Sequence, residues 1–88
     1  MCEVSVIIPN FNGKKYLTDC LHALENQDWE NFEVILVDNG SEDGSVQYVR
    51  ECFPKVRLIE LKENAGFCTA VNTGIKVSRG NYVLLLNN

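Results

Sequence analysis

The sequence predicts an α/β fold with three layers, α/β/α, around a parallel four-stranded Rossmann-like half-sheet in the order 3-2-1-4. Two observations carry this. Short apolar, β-branched runs alternate with segments of helical period along all 88 residues, which is what a parallel sheet with covering helices requires. The runs also differ among themselves as buried and edge strands differ.

The first strand is VSVIIP, from Val4 to Pro9. The segment Lys14 to Gln27 then places Leu17, Cys20, Leu21 and Leu24 at the i, i+3, i+4, i+7 spacing of an amphipathic helix. Phe32 to Asp38 is a second strand, continuously apolar from Val34 to Val37. A second helix from Gly44 to Phe53 has Val46, Val49 and Phe53 on one stripe, with Glu42 and Asp43 at its positive end and Pro54 closing it. Val56 to Leu61 is a third strand, and Arg57 and Glu60 interrupt it as they would an outer strand. A third helix from Gly66 to Gly80 sets Phe67, Ala70, Val71, Gly74, Ile75 and Ser78 along one face. Asn81 to Leu86 is the fourth strand, the most apolar of the four, although last in the chain. An apolar strand at a sheet edge invites pairing, so its far side is expected to have a neighbour, and self-association through it is a candidate.

Composition narrows the function. The net charge is −4, and the eight basic residues are scattered, so nucleic acid is an improbable partner. No run of about 18 apolar residues occurs that could span a membrane, and the N-terminus has no basic region of a signal peptide. Cys2, Cys20, Cys52 and Cys68 show no C-x-x-C spacing. They are expected as reduced thiols packed as small hydrophobes in a cytoplasmic protein. His22 lies off the first helix's apolar stripe, as a surface residue would, and Trp29 reads as a packing residue.

In a parallel sheet the carboxyl ends of all strands share one rim, where ligands bind. Here the strands are followed by PNFNG, DNGSEDG, KENAG and NN. Neutral amides that both donate and accept suit a base, a ribose or a sugar, although Asn and Gly also serve turns. Asp38 ends a buried strand where a carboxylate can meet an N–H or hydroxyl. Phe11 can stack on a flat base or anchor its loop. No G-x-G-x-x-G follows the first strand, no P-loop occurs, and the single histidine leaves no Ser-His-Asp set. A receiver-type phosphoacceptor domain would want acidic residues where Pro9 and Asn10 stand.

VSVIIPNFNG, VDNGSEDGS and NAGFCTAVNTG, followed by GNYVLLLNN, occur in order on this frame. They resemble the N-terminal nucleotide-binding half of a family 2 glycosyltransferase of GT-A fold, across residues 1–88. Asn in VDNGS and LLLNN is similar to the rhamnosyltransferase-like subset. The resemblance implies transfer of a sugar from a UDP- or dTDP-linked donor to a carbohydrate or lipid-linked hydroxyl, with inversion. It implies a base pocket of Pro9, Asn10, Phe11 and Asn12, a base or ribose contact from Asp38, and Asn39 where many members have a second Asp. Gly66 would let the backbone approach the nucleotide, with Ala70 and Asn72 continuing that wall. Asn87 and Asn88 match the first two places of the family's D/N-x-D motif for Mg2+ or Mn2+. The metal-binding carboxylate would fall at the next position, and the general base further on. The expectation is therefore a truncated, inactive donor half of a cytoplasmic enzyme, with the inner face of the membrane as a candidate place. The alternatives are a non-catalytic nucleotide-binding module and an interaction domain that pairs through its fourth strand.

Overall fold

The computed structural model describes residues 2–27 and 31–87. Trp29 and Asn88 lie outside them. The order is β1 (Val4–Asn10), α1 (Lys14–Glu25), β2 (Phe32–Asp38), α2 (Ser45–Cys52), β3 (Arg57–Glu60), α3 (Phe67–Val77) and β4 (Tyr82–Leu85). The four strands form one sheet in the order β3-β2-β1-β4, and every pairing is parallel. The predicted architecture and order are those observed.

Handedness explains the layers. The chain steps outward from β1 to β2 to β3 and then returns past both to β4. Right-handed crossovers that reverse direction must lie on opposite faces of the sheet. Accordingly α1 and α2 share one face. Leu17, Leu21, Val49 and Phe53 pack there on Val6, Ile8, Val34 and Leu36. The Thr18 and Tyr48 hydroxyls bond at 2.7 Å and tie the two helices together. On the other face α3 covers β1 and β2, with Ala70 against Ile35 and Val37.

Register sets the site. β1 and β2 pair over seven residues, from Val4 opposite Phe32 to Asn10 opposite Asp38. Pro9 is tolerated in this central strand because of where its ladder position points. The Ile7 carbonyl accepts from Leu86 N–H just past the end of β4, so by alternation Pro9 also faces the β4 side. Paired residues there end at Ile7 and Leu85, and no donor is missed.

At the opposite rim the Glu33 carboxylate gathers Ser5 Oγ at 2.6 Å, Arg57 Nη1 at 2.7 Å and Arg79 N–H at 2.6 Å. Burial pushes its pKa up, and these hydrogen bonds and the Arg57 charge outweigh that, holding it below the ordinary value. Gly80 N–H reaches Ser5 Oγ at 2.9 Å, so the cluster fixes the turn that leads into β4.

Several expectations change in detail. α3 begins after Gly66, whose φ of 93° and ψ of 161° are not helical, and ends before the extended Ser78. Of its predicted face, Ala70 and Gly74 are buried while Phe67 and Ile75 stay exposed, since a flat sheet meets only a narrow stripe of a helix. Cys2 and Cys20 are partly buried, but Cys52 and Cys68 are exposed, so packing does not account for all four thiols. His22 is exposed as expected, with its ring 5.2 Å from that of Phe53. β4, continuously apolar in sequence, is exposed at all four residues.

Gly74 lets α3 lie close against β1. A Cβ there would lie 2.7 Å from Ile7 Cγ2, and Ile7 is fully buried. Gly74→Leu is expected to lower stability by roughly 1–3 kcal/mol through overpacking, read as a lower urea midpoint. An unchanged midpoint would show that α3 can lift without cost.

Candidate nucleotide-binding site

The site grows from the in-register ends of β1 and β2. Asp38 is 1% exposed, and its carboxylate is held from three directions. Asn10 Nδ2 donates to Oδ1 at 2.9 Å, Ser41 Oγ donates to the same oxygen at 2.7 Å, and Ser41 N–H donates to Oδ2 at 2.8 Å. A buried carboxylate needs such partners, because a polar group taken out of water without hydrogen bonds is costly. Asp38 also lines an open concavity of about 570 Å³ with Gly40, Ser41, Glu42, Val46, Glu60, Leu61 and Lys62. Three carboxylates and one ammonium border it. Such a wall suits ligand N–H and hydroxyl groups better than phosphates.

Ser41 is a hub that the sequence reading did not single out. Besides bonding Asp38, its hydroxyl accepts from Asn12 N–H at 2.8 Å and from Asn10 Nδ2 at 3.3 Å. The available signal was its spacing. A Ser three residues after an Asp at a strand end can close a turn on that carboxylate. Asn12 adds a second bond between the same loops, its Oδ1 accepting from Glu42 N–H at 2.8 Å. It sits at φ 51°, a left-handed conformation that Asn tolerates better than most residues.

Asp43 joins two helix ends. Its Oδ2 accepts from Lys14 N–H at 3.0 Å, and its Oδ1 accepts from Ser45 N–H at 3.0 Å and from Ser45 Oγ. Lys14 opens α1 and Ser45 opens α2, so one carboxylate satisfies orphan donors of both. Gly13 and Gly44, the residues at the cap positions, have no side chain for this.

The remaining expected residues separate. Pro9 is buried within β1. Phe11 is 51% exposed in the β1–α1 loop, its ring open for stacking. Asn39 is buried, and its amide bonds Ala65 N–H and the Gly66 carbonyl. Gly66 is exposed at the N-terminal end of α3. Ala70 is fully buried against Ile35 and Val37, so its methyl packs the core. Asn72 is exposed on α3. Thus Asn10, Asn12 and Asp38 come together through Ser41, Asn39 joins Gly66, and the side chains of Ala70 and Asn72 stand apart from this network.

Asn87 is exposed beside a second concavity, also about 570 Å³, lined by Tyr16, Cys20, Ala23, Leu24, Gln27 and Leu86. Burial pushes the Cys20 thiol pKa up. Among the described residues no three His, Cys, Asp or Glu side chains gather as a metal site. The neutral amide of Asn87 supplies one weak oxygen ligand where a hard divalent cation favours carboxylates. These residues do not by themselves fit Mg2+ or Mn2+. Among the described residues no helix is long and apolar enough to cross a membrane.

Similarity to known proteins is extensive. The family model described as Glycosyl transferase family 2 matches residues 5–88. The chain is 39% identical over 88 residues to the uncharacterized glycosyltransferase YibD of Escherichia coli K12, covering 97% of this chain and 25% of that protein. The crystal structure of S. aureus TarS 1-349 in complex with UDP-GlcNAc matches with a TM-score of 0.88 at 31% identity, over 97% of this chain and 26% of that one. The mannosyltransferase PcManGT from Pyrobaculum calidifontis, in complex with GDP-Man and Mn2+, matches with a TM-score of 0.88 at 30% identity, over 97% and 27%. The chain spans about a quarter of the length of these relatives.

The double cap yields a test. Burial raises the Asp43 pKa, and the bonds from Ser45 and the Lys14 N–H lower it further than that, for a net depression. Asp43→Ala is expected to lower stability by about 1 kcal/mol. A depressed folded pKa gives a contribution that is complete above the unfolded value of about 3.9 and is lost as pH falls through the lower folded value. The stability gap between the parent and Asp43→Asn, measured by urea unfolding, should therefore hold near neutrality and shrink below about pH 4. A gap that widens on acidification contradicts the capping role.

Proposed function

The chain belongs to glycosyl transferase family 2, and from this premise we propose that its 88 residues form the donor-nucleotide-binding half of a GT-A glycosyltransferase. The observation that carries the reading is the buried Asp38 carboxylate, held by Asn10 and Ser41 at the lip of an open concavity on the carboxyl rim. Asp38 would accept from a base N–H or a ribose hydroxyl, with Phe11 against the ring and Gly66 close to the nucleotide backbone. The acceptor oxygen would bond to the anomeric carbon as the bond to the diphosphate oxygen breaks, inverting that centre. The proton would pass to a general base, and none is assigned among these residues.

The donor is proposed to be UDP- or dTDP-linked. Asn39 and Asn87 are the variants that resemble the rhamnosyltransferase-like subset, and a matching TarS structure holds UDP-GlcNAc. The acceptor would be a carbohydrate or lipid-linked hydroxyl, and the site of action cytoplasmic. Mg2+ or Mn2+ is proposed as the cofactor of a longer enzyme, in line with the Mn2+ of PcManGT. The 88 residues alone are expected to transfer no sugar, and transfer by the purified chain would refute that.

Calorimetric titration of the chain with UDP tests the donor-binding reading. Saturable binding is expected, with Phe11→Ala weakening it about two- to tenfold if stacking is worth about 0.5–1.5 kcal/mol. No heat of binding with UDP or dTDP would remove the reading.

We also propose that the chain pairs with a second copy through β4. All four of its residues are exposed, and Leu84 is 53% exposed on a strand that has one edge unpaired among the described residues. A charge on such an edge opposes pairing. Light scattering should show a concentration-dependent dimer that Leu84→Lys converts to monomer; a monomer at millimolar concentration counts against it.

A further inference from the structure

We infer that Asn39 is a positioning residue of the nucleotide site, which sets the β3–α3 loop by its side-chain amide and does not itself meet the ligand. The inference rests on the donor-binding reading above. Asn39 directly follows Asp38 but is turned away from the concavity that Asp38 lines. It is 5% exposed. Its own N–H bonds the Asn10 carbonyl at 2.8 Å. Its Oδ1 accepts from Ala65 N–H at 2.9 Å, and its Nδ2 donates to the Gly66 carbonyl at 3.1 Å. Both functions of the planar amide are engaged by two adjacent residues of the neighbouring loop.

The segment that Asn39 grips has an unusual backbone. Gly66 lies at φ 93° and ψ 161°, a conformation open essentially to glycine. A Cβ there would meet nothing within 4 Å, so backbone geometry and not crowding selects glycine. The Gly66 N–H is held by Asn64 Oδ1 at 2.9 Å, and its carbonyl also receives Ala70 N–H at 3.2 Å in the first turn of α3. Asn39 therefore holds the residue from which α3 starts. The next residue repeats the constraint by contact, since a Cβ on Gly40 would lie 2.8 Å from Glu63 Cα and 2.9 Å from Glu63 C. Leu61 and Lys62 of the same loop form the far side of the concavity. Two residues after Asp38 thus fix the distance between Asp38 and the opposite wall.

The chemistry explains why an amide serves here. The pair of bonds needs one acceptor and one donor on one planar group. A carboxylate could keep Ala65 N–H but would set oxygen against the Gly66 carbonyl oxygen. A protonated carboxyl would restore the donor. Charged groups near this position include Asp38 beside it, Glu60 paired with Asp38 on β3, Glu42 on the same concavity, and Lys62 and Glu63 on the facing loop, while the first turn of α3 has no acidic residue.

Two variants of the 88-residue chain test this by amide hydrogen exchange and UDP titration. In Asn39→Ala the Ala65 amide should lose at least about tenfold in protection, as expected for a removed hydrogen bond, and UDP affinity should fall. Asn39→Asp is nearly isosteric, so it keeps the test open should Asn39→Ala fail to fold. Its UDP affinity relative to the parent should drop about two- to tenfold near pH 7.5 and recover toward parity near pH 5, as a buried carboxyl takes up its proton. A ratio flat with pH, or unchanged exchange at Ala65 in the folded variants, overturns the positioning role. A parent that binds no UDP overturns the donor-binding reading instead, and the exchange arm still decides whether Asn39 holds the loop.

Discussion

The parallel pairing of β1 with β2 is the constraint on which the rest of the molecule depends. Seven consecutive partners run from Val4 and Phe32 to Asn10 and Asp38. The alternation of side chains then sends Val6, Ile8, Val34 and Leu36 to the α1/α2 face and Ile35 and Val37 to the α3 face. A slip of one residue would exchange the two faces of β2 and move Asp38 away from Asn10. The same register that builds the core brings an amide opposite a carboxylate at the carboxyl rim. Core and site are set by one ladder.

Above that ladder, short polar side chains join the rim loops. Ser41 joins the β1–α1 loop to the β2–α2 loop, Asp43 joins the starts of α1 and α2, and Asn39 joins the β2 end to the start of α3. Each bonds backbone N–H groups that would otherwise need water. These loops carry the expected ligand contacts, so their shape must survive without a ligand. Among the described residues no buried side-chain nitrogen or oxygen lacks a partner, in keeping with a network set before a nucleotide arrives.

Order is unevenly supported across the sheet. β1 and β2 are enclosed by helices on both faces, whereas among the described residues β4 pairs with β1 alone and presents apolar side chains to solvent. Its attachment comes from the ladder, from Leu86 packed against the α1 face, and from the Glu33 cluster at the turn before it. Few buried apolar contacts mean local opening at lower free energy than the core.

Periodicity alone determined the elements, their order and the sheet. The spacing of Leu17, Cys20, Leu21 and Leu24 could not sit on a strand, and the apolar run from Val34 to Val37 needs cover on both faces. Asn10, Phe11, Asn12 and Asp38 were legible as rim residues, because parallel strands must end together. Tertiary structure alone decided which of them touch. That Asp38 is held by Asn10 and Ser41, that Asn39 turns to the neighbouring loop, and that Ala70 lies in the core depend on loop backbone angles and on approach distances between segments mostly far apart in the chain. Hydrophobic period is a property of one segment and survives in the linear sequence. A hydrogen bond between two loops is a property of a pair, and it exists only once the sheet has brought their ends together.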